Sequence, residues 1–354
     1  MIDRPHRLEQ LIARIGPADE RARRAAQQGF DAKTKPRGSL GRLEQIGCRM
    51  AAIGGSVPEH LRPAVVVAAA DHGVAAEGVS AYPQEVTAQM LANFAAGGAA
   101  INVLARQADA RLVVVDVGIA VLFEHELVRS VRIGAGTANL TDGPAMTGEQ
   151  ALRALLAGAE LAEQLAADGV NAVALGEMGI ANTTAASTLA AALLAADPGE
   201  VCGRGTGLDD AGVTHKIEVV RRALSRTSVG SHDPVQVLAA FGGFEIAFLA
   251  GVALGCAAAR VAIVLDGFIS SAAALVAAKL APHTVEAMIA AHLSPEPGHR
   301  LILSTLGLEP LLDLRLRLGE GTGAALALPL LASSIALLNE MATFDRANVT
   351  DAGR

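Results

Sequence analysis

The sequence predicts an α/β protein built on a parallel β-sheet, with helices from both chain ends forming a second, smaller lobe. Three observations carry this. Apolar, β-branched runs recur that end in a polar, glycine-containing turn and lead into Ala-rich helical stretches, the pattern of βα units. Hydrophobic residues make up 51% of the 354 and charged residues 18%, which is enough apolar material for a large core and excludes disorder of the whole chain. Before Pro63 and after about Pro295 the pattern changes to charged, helix-period sequence. The predicted units are therefore 63–294 for the sheet domain, and 1–62 with 295–354 for the helical one.

Taken in order, the first landmark is Lys35-Pro36-Arg37-Gly38-Ser39-Leu40-Gly41-Arg42-Leu43-Glu44. Ser39 before Leu40, Leu43 and Ile46 predicts a capped amphipathic helix starting near Ser39. Strands are predicted over 64–70, 111–115, 170–175 and 261–265. Each is followed by an acidic residue and a glycine: Asp71 with Gly73, Asp116 with Gly118, Glu177 with Gly176 and Gly179, and Asp266 with Gly267. Ligands of open α/β sheets sit beyond the carboxyl ends of the strands, so these four predict one crevice. From Pro295 the chain reads as helical through Leu306 to Asn339.

Charge and cysteine content narrow the function. The net charge is −7 and there is one Tyr and no Trp, so neither a basic field nor a stacking platform exists for nucleic acid. Cys48, Cys202 and Cys256 are far apart without a C-x-x-C, which points away from zinc and disulfides and toward a reducing cytoplasm. The start, Met1-Ile2-Asp3-Arg4-Pro5-His6-Arg7, lacks the apolar core of a signal peptide. Mean hydropathy is +0.39, but the uncharged run 246–259 is shorter than the ~20 residues a spanning helix needs. The run 321–338 contains Pro329, Ser333 and Ser334 and reads as a packed interior helix, so no membrane association is predicted.

Several stretches can carry chemistry. Gly176-Glu177-Met178-Gly179-Ile180-Ala181-Asn182-Thr183-Thr184 leaves a strand and enters a helix predicted over 185–196; free amides and hydroxyls there favour an anion, although Asn182 or Thr183 is equally a plain helix cap. Gly203-Arg204-Gly205-Thr206-Gly207, with Lys216 downstream before a helical run at 217–223, suits a phosphate nest or an ordinary turn. It has neither P-loop nor dinucleotide-fingerprint spacing. Gly319-Glu320-Gly321-Thr322-Gly323 sets one carboxylate among three glycines before an uncharged helix. Apolar surroundings would raise its pKa and make it a usable general base; the competing reading is a solvated turn. Ser294-Pro295-Glu296-Pro297-Gly298-His299 adds a rigid turn with a hydroxyl. His72, His215, His232, His283, His292 and His299 have no metal-site spacing, and no G-x-S-x-G elbow occurs.

In their joint order these segments resemble one family, the nicotinate-nucleotide:dimethylbenzimidazole phosphoribosyltransferases of cobalamin nucleotide-loop assembly. The resemblance runs over almost the whole chain. It is carried by Lys35-Pro36 with Gly38 to Glu44, Ala70-Asp71-His72-Gly73-Val74, Gly176-Glu177 with Gly179, Ala181 to Thr184, Gly242-Gly243-Phe244, Leu265-Asp266-Gly267-Phe268, and Arg317 to Gly321 with Gly323 to Ala327. It implies a Rossmann-like sheet domain, a small helical domain, a homodimer, and no metal or organic cofactor. The implied substrates are nicotinate mononucleotide and a benzimidazole base. It places the catalytic base on Glu320 and a second active-site carboxylate on Glu177, which would stabilise positive charge at the ribosyl group or orient the acceptor. Gly176, Asn182, Thr183, Gly205, Lys216, Ser294 and Gly319 fall on the nucleotide side, and Tyr82, Met90 and Leu318 around the acceptor base. Tyr82 and Met90 differ among family members, and Arg37 stands where a second proline is frequent. Two rival functions are a nucleotide-dependent dehydrogenase, disfavoured by the missing G-x-G-x-x-G, and a noncatalytic binder, disfavoured by the presence of both Glu177 and Glu320.

Overall fold

A computed structural model describes residues 4–226 and 233–350; Met1 to Asp3 and His232 lie outside the described residues. Six parallel strands form one sheet: β1 (Pro63–Ala70), β2 (Arg111–Gly118), β3 (Val128–Ser130), β4 (Ala172–Met178), β5 (Ala262–Leu265) and β6 (Met288–Ala290). Their spatial order is β3-β2-β1-β4-β5-β6, with every pairing parallel. β1 and β5 are buried along their whole length, as strands covered by helices on both faces must be. The order reverses direction between β1 and β4, and a ligand crevice opens at such a switch point.

The α/β class and the four long strands agree with the sequence reading, and the differences have local causes. β3 and β6 hold three residues each, too short to show a period. β4 runs past Leu175, so Gly176 and Glu177 are strand residues rather than turn residues; Asp116 likewise lies within β2. The N-terminal helix expected from Ser39 begins at Arg42. Ser39 does not cap it: Glu44 instead accepts the Leu40 amide at 3.1 Å and pairs with buried Lys35 at 2.7 Å. The helix expected over 185–196 is Asn182–Leu194, with Ala181, not Asn182 or Thr183, as its cap residue. Lys216 sits inside the helix Asp210–Arg226 rather than before one. After Pro297–Leu306 the chain is irregular until Thr322–Glu340.

Two stretches among the described residues are long and apolar enough to cross a membrane, Val86–Gln107 and Thr322–Glu340. The first is broken by a turn into the helices Val86–Ala95 and Ala100–Gln107. The second packs against the helix Arg42–Gly54 and against β4 and β5, and Ser334 Oγ donates to the Leu43 carbonyl at 2.5 Å. Gly47 makes this close approach possible, since a Cβ there would lie 2.7 Å from that hydroxyl. The two chain ends also meet directly, Lys33 bridging Thr343 in antiparallel fashion.

Candidate active site

A cavity of about 380 Å³ opens beyond the carboxyl ends of β4, β5 and β6. Glu177 and Glu320 stand in its wall with His292, and Tyr82, Met90 and Leu318 line it from other segments. A larger hollow of about 520 Å³ beside Phe244 and Gln236 is lined without any ionisable side chain, so the chemistry belongs to the first. Of the four strand-end acids, only Glu177 and Asp266 belong to this site. Asp71 accepts the Ala120 amide at 2.7 Å and Asp116 the Ile119 amide at 3.0 Å; both fasten the chain after β2 instead of facing the crevice.

Glu320 is held by an unusual run of backbone. Gly319, Glu320 and Gly321 have φ of 84°, 61° and 84°, a left-handed stretch that two glycines make tolerable and that costs a non-glycine residue roughly 1–2 kcal/mol. Asp266 fixes the residues just beyond, accepting from the amides of Gly321 (3.3 Å) and Ala324 (3.0 Å) at the start of the helix Thr322–Glu340. Gly176 provides the space: a Cβ there would come within 2.4 Å of the Glu320 carbonyl oxygen. Glu320 is only 4% exposed, which rules out the solvated turn. Burial raises its pKa, the Ile101 amide offsets part of that rise, and Asp266 adds to it. Its Oε2 is buried without a hydrogen-bond partner among the described residues.

Glu177 faces the same loop. Its carboxylate receives a short hydrogen bond from Asn182 Nδ2, and Gly319 accommodates the other oxygen, a Cβ there being 2.4 Å from Oε1. Burial pushes its pKa up to about 8; the Asn182 bond opposes this, while the carboxylates of Asp266, Glu245 and Glu320 reinforce it. Near neutrality Glu177 therefore holds its proton mostly on, until a positive charge arrives beside it.

The cavity wall also carries hydroxyls and amides backed by an ammonium group. Lys216 is fully buried and donates to Thr183 Oγ1 at 2.8 Å and to the Gly203 carbonyl at 3.4 Å. Gly205, at φ 51°, leaves space that a Cβ would take within 3.0 Å of the Lys216 ammonium. Ser294 is positioned by His299, whose Nδ1 accepts the Ser294 amide at 2.9 Å while Nε2 meets Ser271 Oγ at 3.1 Å. Burial lowers the His299 pKa to about 3, so it works as a neutral bracket. Thr206 Oγ1 reaches Ser80 Oγ (3.1 Å) and the Ala81 amide (3.0 Å), tying the glycine loop to the segment bearing Tyr82.

Asn182, Thr183, Gly205, Ser294, Gly319, Tyr82, Met90 and Leu318 all meet at this cavity with the two glutamates. Gly176 and Lys216 do not line it. Gly176 sits behind Glu320 as a spacer, and Lys216 stands behind Thr183. Asp266 as an anchor, His292, Glu296 and Arg317 join the site without having been given a role from the sequence. Asp266 and Glu296 were visible within the motifs above, but only three-dimensional proximity reveals their partners; His292 lies 3.5 Å from Asp266.

A family model described as "Phosphoribosyltransferase" matches residues 15–349. A protein of Chloroflexus aurantiacus named nicotinate-nucleotide:dimethylbenzimidazole phosphoribosyltransferase is 52% identical over 346 residues, 97% of this chain and 99% of its own length. One of the same name from Desulforudis audaxviator is 53% identical over 348 residues, 98% of each. The crystal structure of CobT from Thermus thermophilus superimposes with a TM-score of 0.89 at 50% identity, covering 97% of this chain and 100% of that one. By sequence and by fold, the chain belongs to the nicotinate-nucleotide:dimethylbenzimidazole phosphoribosyltransferase family.

Proposed function

We infer that this protein transfers the 5-phosphoribosyl group of nicotinate mononucleotide to dimethylbenzimidazole, forming α-ribazole 5′-phosphate and nicotinate for cobalamin nucleotide-loop assembly. Near-full-length identity of about half to relatives of that name supports the reaction. One benzimidazole nitrogen attacks C1′ as the bond from C1′ to the pyridinium nitrogen breaks. The departing electron pair neutralises the ring nitrogen of nicotinate, so the leaving group needs no acid. The other benzimidazole nitrogen carries a proton that must be removed, or the product stays cationic.

Glu320 takes that proton. The observation that supports this role is its Oε2, buried and without a partner in the wall of the cavity. A buried carboxylate with a raised pKa is a stronger base than a solvated one, and Asp266 keeps its loop from moving. Glu177 meets the cationic ring or the ribosyl group as positive charge develops there, and the approaching cation favours its ionised form. Tyr82, Met90 and Leu318 are assigned to the benzimidazole. Thr183, Gly205, Ser294 and Lys216 are assigned to the phosphate, where a buried ammonium stands behind hydroxyls and an amide. We further propose a homodimer working in the cytoplasm, in keeping with three buried, unpaired cysteines.

The test is Glu320→Gln, which keeps shape and removes basicity. With nicotinate mononucleotide and dimethylbenzimidazole as substrates, kcat should fall roughly 10²–10⁴-fold, the range of general-base catalysis, with KM for the nucleotide little changed. Wild-type turnover in the variant would remove Glu320 from the mechanism.

A further inference from the structure

Glu296 places a carboxylate where a phosphate is expected. It lines the cavity beside Gly205, Thr183 and Ser294 and is nine-tenths buried. Its Oε1 accepts the Gly205 amide at 2.9 Å, while Oε2 is buried with no partner among the described residues. Gly203 gives it space, since a Cβ there would stand 2.3 Å from Oε2. The Lys216 ammonium is near enough for their charges to interact, yet it bonds Thr183 and Gly203 instead. An ammonium has three donors, so one N–H of Lys216 has no partner among the described residues. A cradle of one amide, one spare ammonium N–H and two hydroxyls is thus occupied at its amide by the protein's own anion.

Two anions cannot share one N–H at close range without a large repulsive cost. We propose that Glu296 is a resident stand-in for the substrate's phosphate: it holds the Gly205 loop in its binding shape and gives up the Gly205 amide when the phosphate arrives. The proposal rests on the phosphoribosyl-transfer reading above. It makes Glu296 a specificity-determining residue. The carboxylate keeps the amide satisfied in the free protein and rejects weakly charged ligands, because only a doubly charged group also drawn by Lys216 can displace it.

Glu296→Gln tests this, because the side-chain amide oxygen can still accept the Gly205 N–H but carries no charge. KM for nicotinate mononucleotide should fall about tenfold, the scale of one removed like charge beside a dianion. The inhibition constant of nicotinate riboside, which lacks the phosphate, should not move. An unchanged or higher KM, or an equal gain for the riboside, would overturn the proposal. If the variant melts far below the parent, the wild-type structure with bound nicotinate mononucleotide decides. A phosphate oxygen on the Gly205 amide with Glu296 displaced supports the exchange, and an intact Glu296–Gly205 bond beside the phosphate refutes it. A wild-type protein that fails to turn over the mononucleotide would instead refute the parent reading.

Discussion

Glu177 couples function to stability through its proton. In the unfolded chain its pKa is near 4.5, and burial pushes the folded value up to about 8. Below pH 4.5 both states hold the proton and burial costs little. Between there and about 8 the folded state keeps a proton that the unfolded state releases, so stability falls as pH rises. Glu320, whose pKa is also raised, acts in the same sense. Melting temperatures measured from pH 5 to 8 should decline for the wild type and decline less steeply for Glu177→Gln, which has no proton to lose. Equal slopes would mean that Glu177 is ionised in the free protein. The raised pKa of Glu320 was legible in the sequence as a carboxylate among glycines. That of Glu177 was not, because it arises first from burial created by the fold, reinforced by carboxylates 68 to 143 positions away, Asp266, Glu245 and Glu320.

At the scale of elements, the site is a contact between β4 and the loop that opens the helix Thr322–Glu340. Gly176 reads in sequence as a nucleotide contact, and the fold shows that it also makes room for the Glu320 loop, since a Cβ on it would meet the Glu320 carbonyl and the Gly321 amide. Gly176→Ala should therefore destabilise the protein by about 2–3 kcal/mol through overpacking and lower kcat roughly 100-fold by displacing Glu320. Thermal denaturation and steady-state kinetics check both, and a fully active, equally stable variant would show that the loop yields freely. β1, β2, β4, β5 and the Ala-rich helices were readable because their patterns are long enough to register, whereas β3 and β6, at three residues each, were not. The ends of elements were not. Ser39 resembles a cap, but Glu44 takes the Leu40 amide and the Lys35 charge, a tertiary arrangement that local propensity does not encode.

For the whole molecule, the doubly wound order places the switch point between β1 and β4, and the cavity lies on the β4 side of it. We propose that the chain is organised as the sheet unit 63–294 and a helical unit from 1–62 and 295–354, whose two segments meet at Lys33 and Thr343 and which reaches the sheet where Thr322–Glu340 packs on β4 and β5. Val121, Leu122 and Leu127 are exposed large apolar side chains after β2, and covering them in a second copy would remove apolar area from water. Light scattering on the eluting protein should give twice the 36.0 kDa chain mass; a single chain mass would refute the dimer. The parallel sheet was evident from the βα pattern, whereas the convergence of segments 80–90, 177–183, 294–296 and 316–320 on one cavity needed the strand order.

The most direct measurement of the Glu320 role is a structure with dimethylbenzimidazole bound. The unpartnered Oε2 of Glu320 should lie within about 2.6–3.2 Å of a ring nitrogen, the reach a general base requires, with the ring against Met90 and Leu318. A ring bound elsewhere in the cavity, or a Glu320 carboxylate engaged only with the Ile101 amide and out of reach of both ring nitrogens, would contradict it.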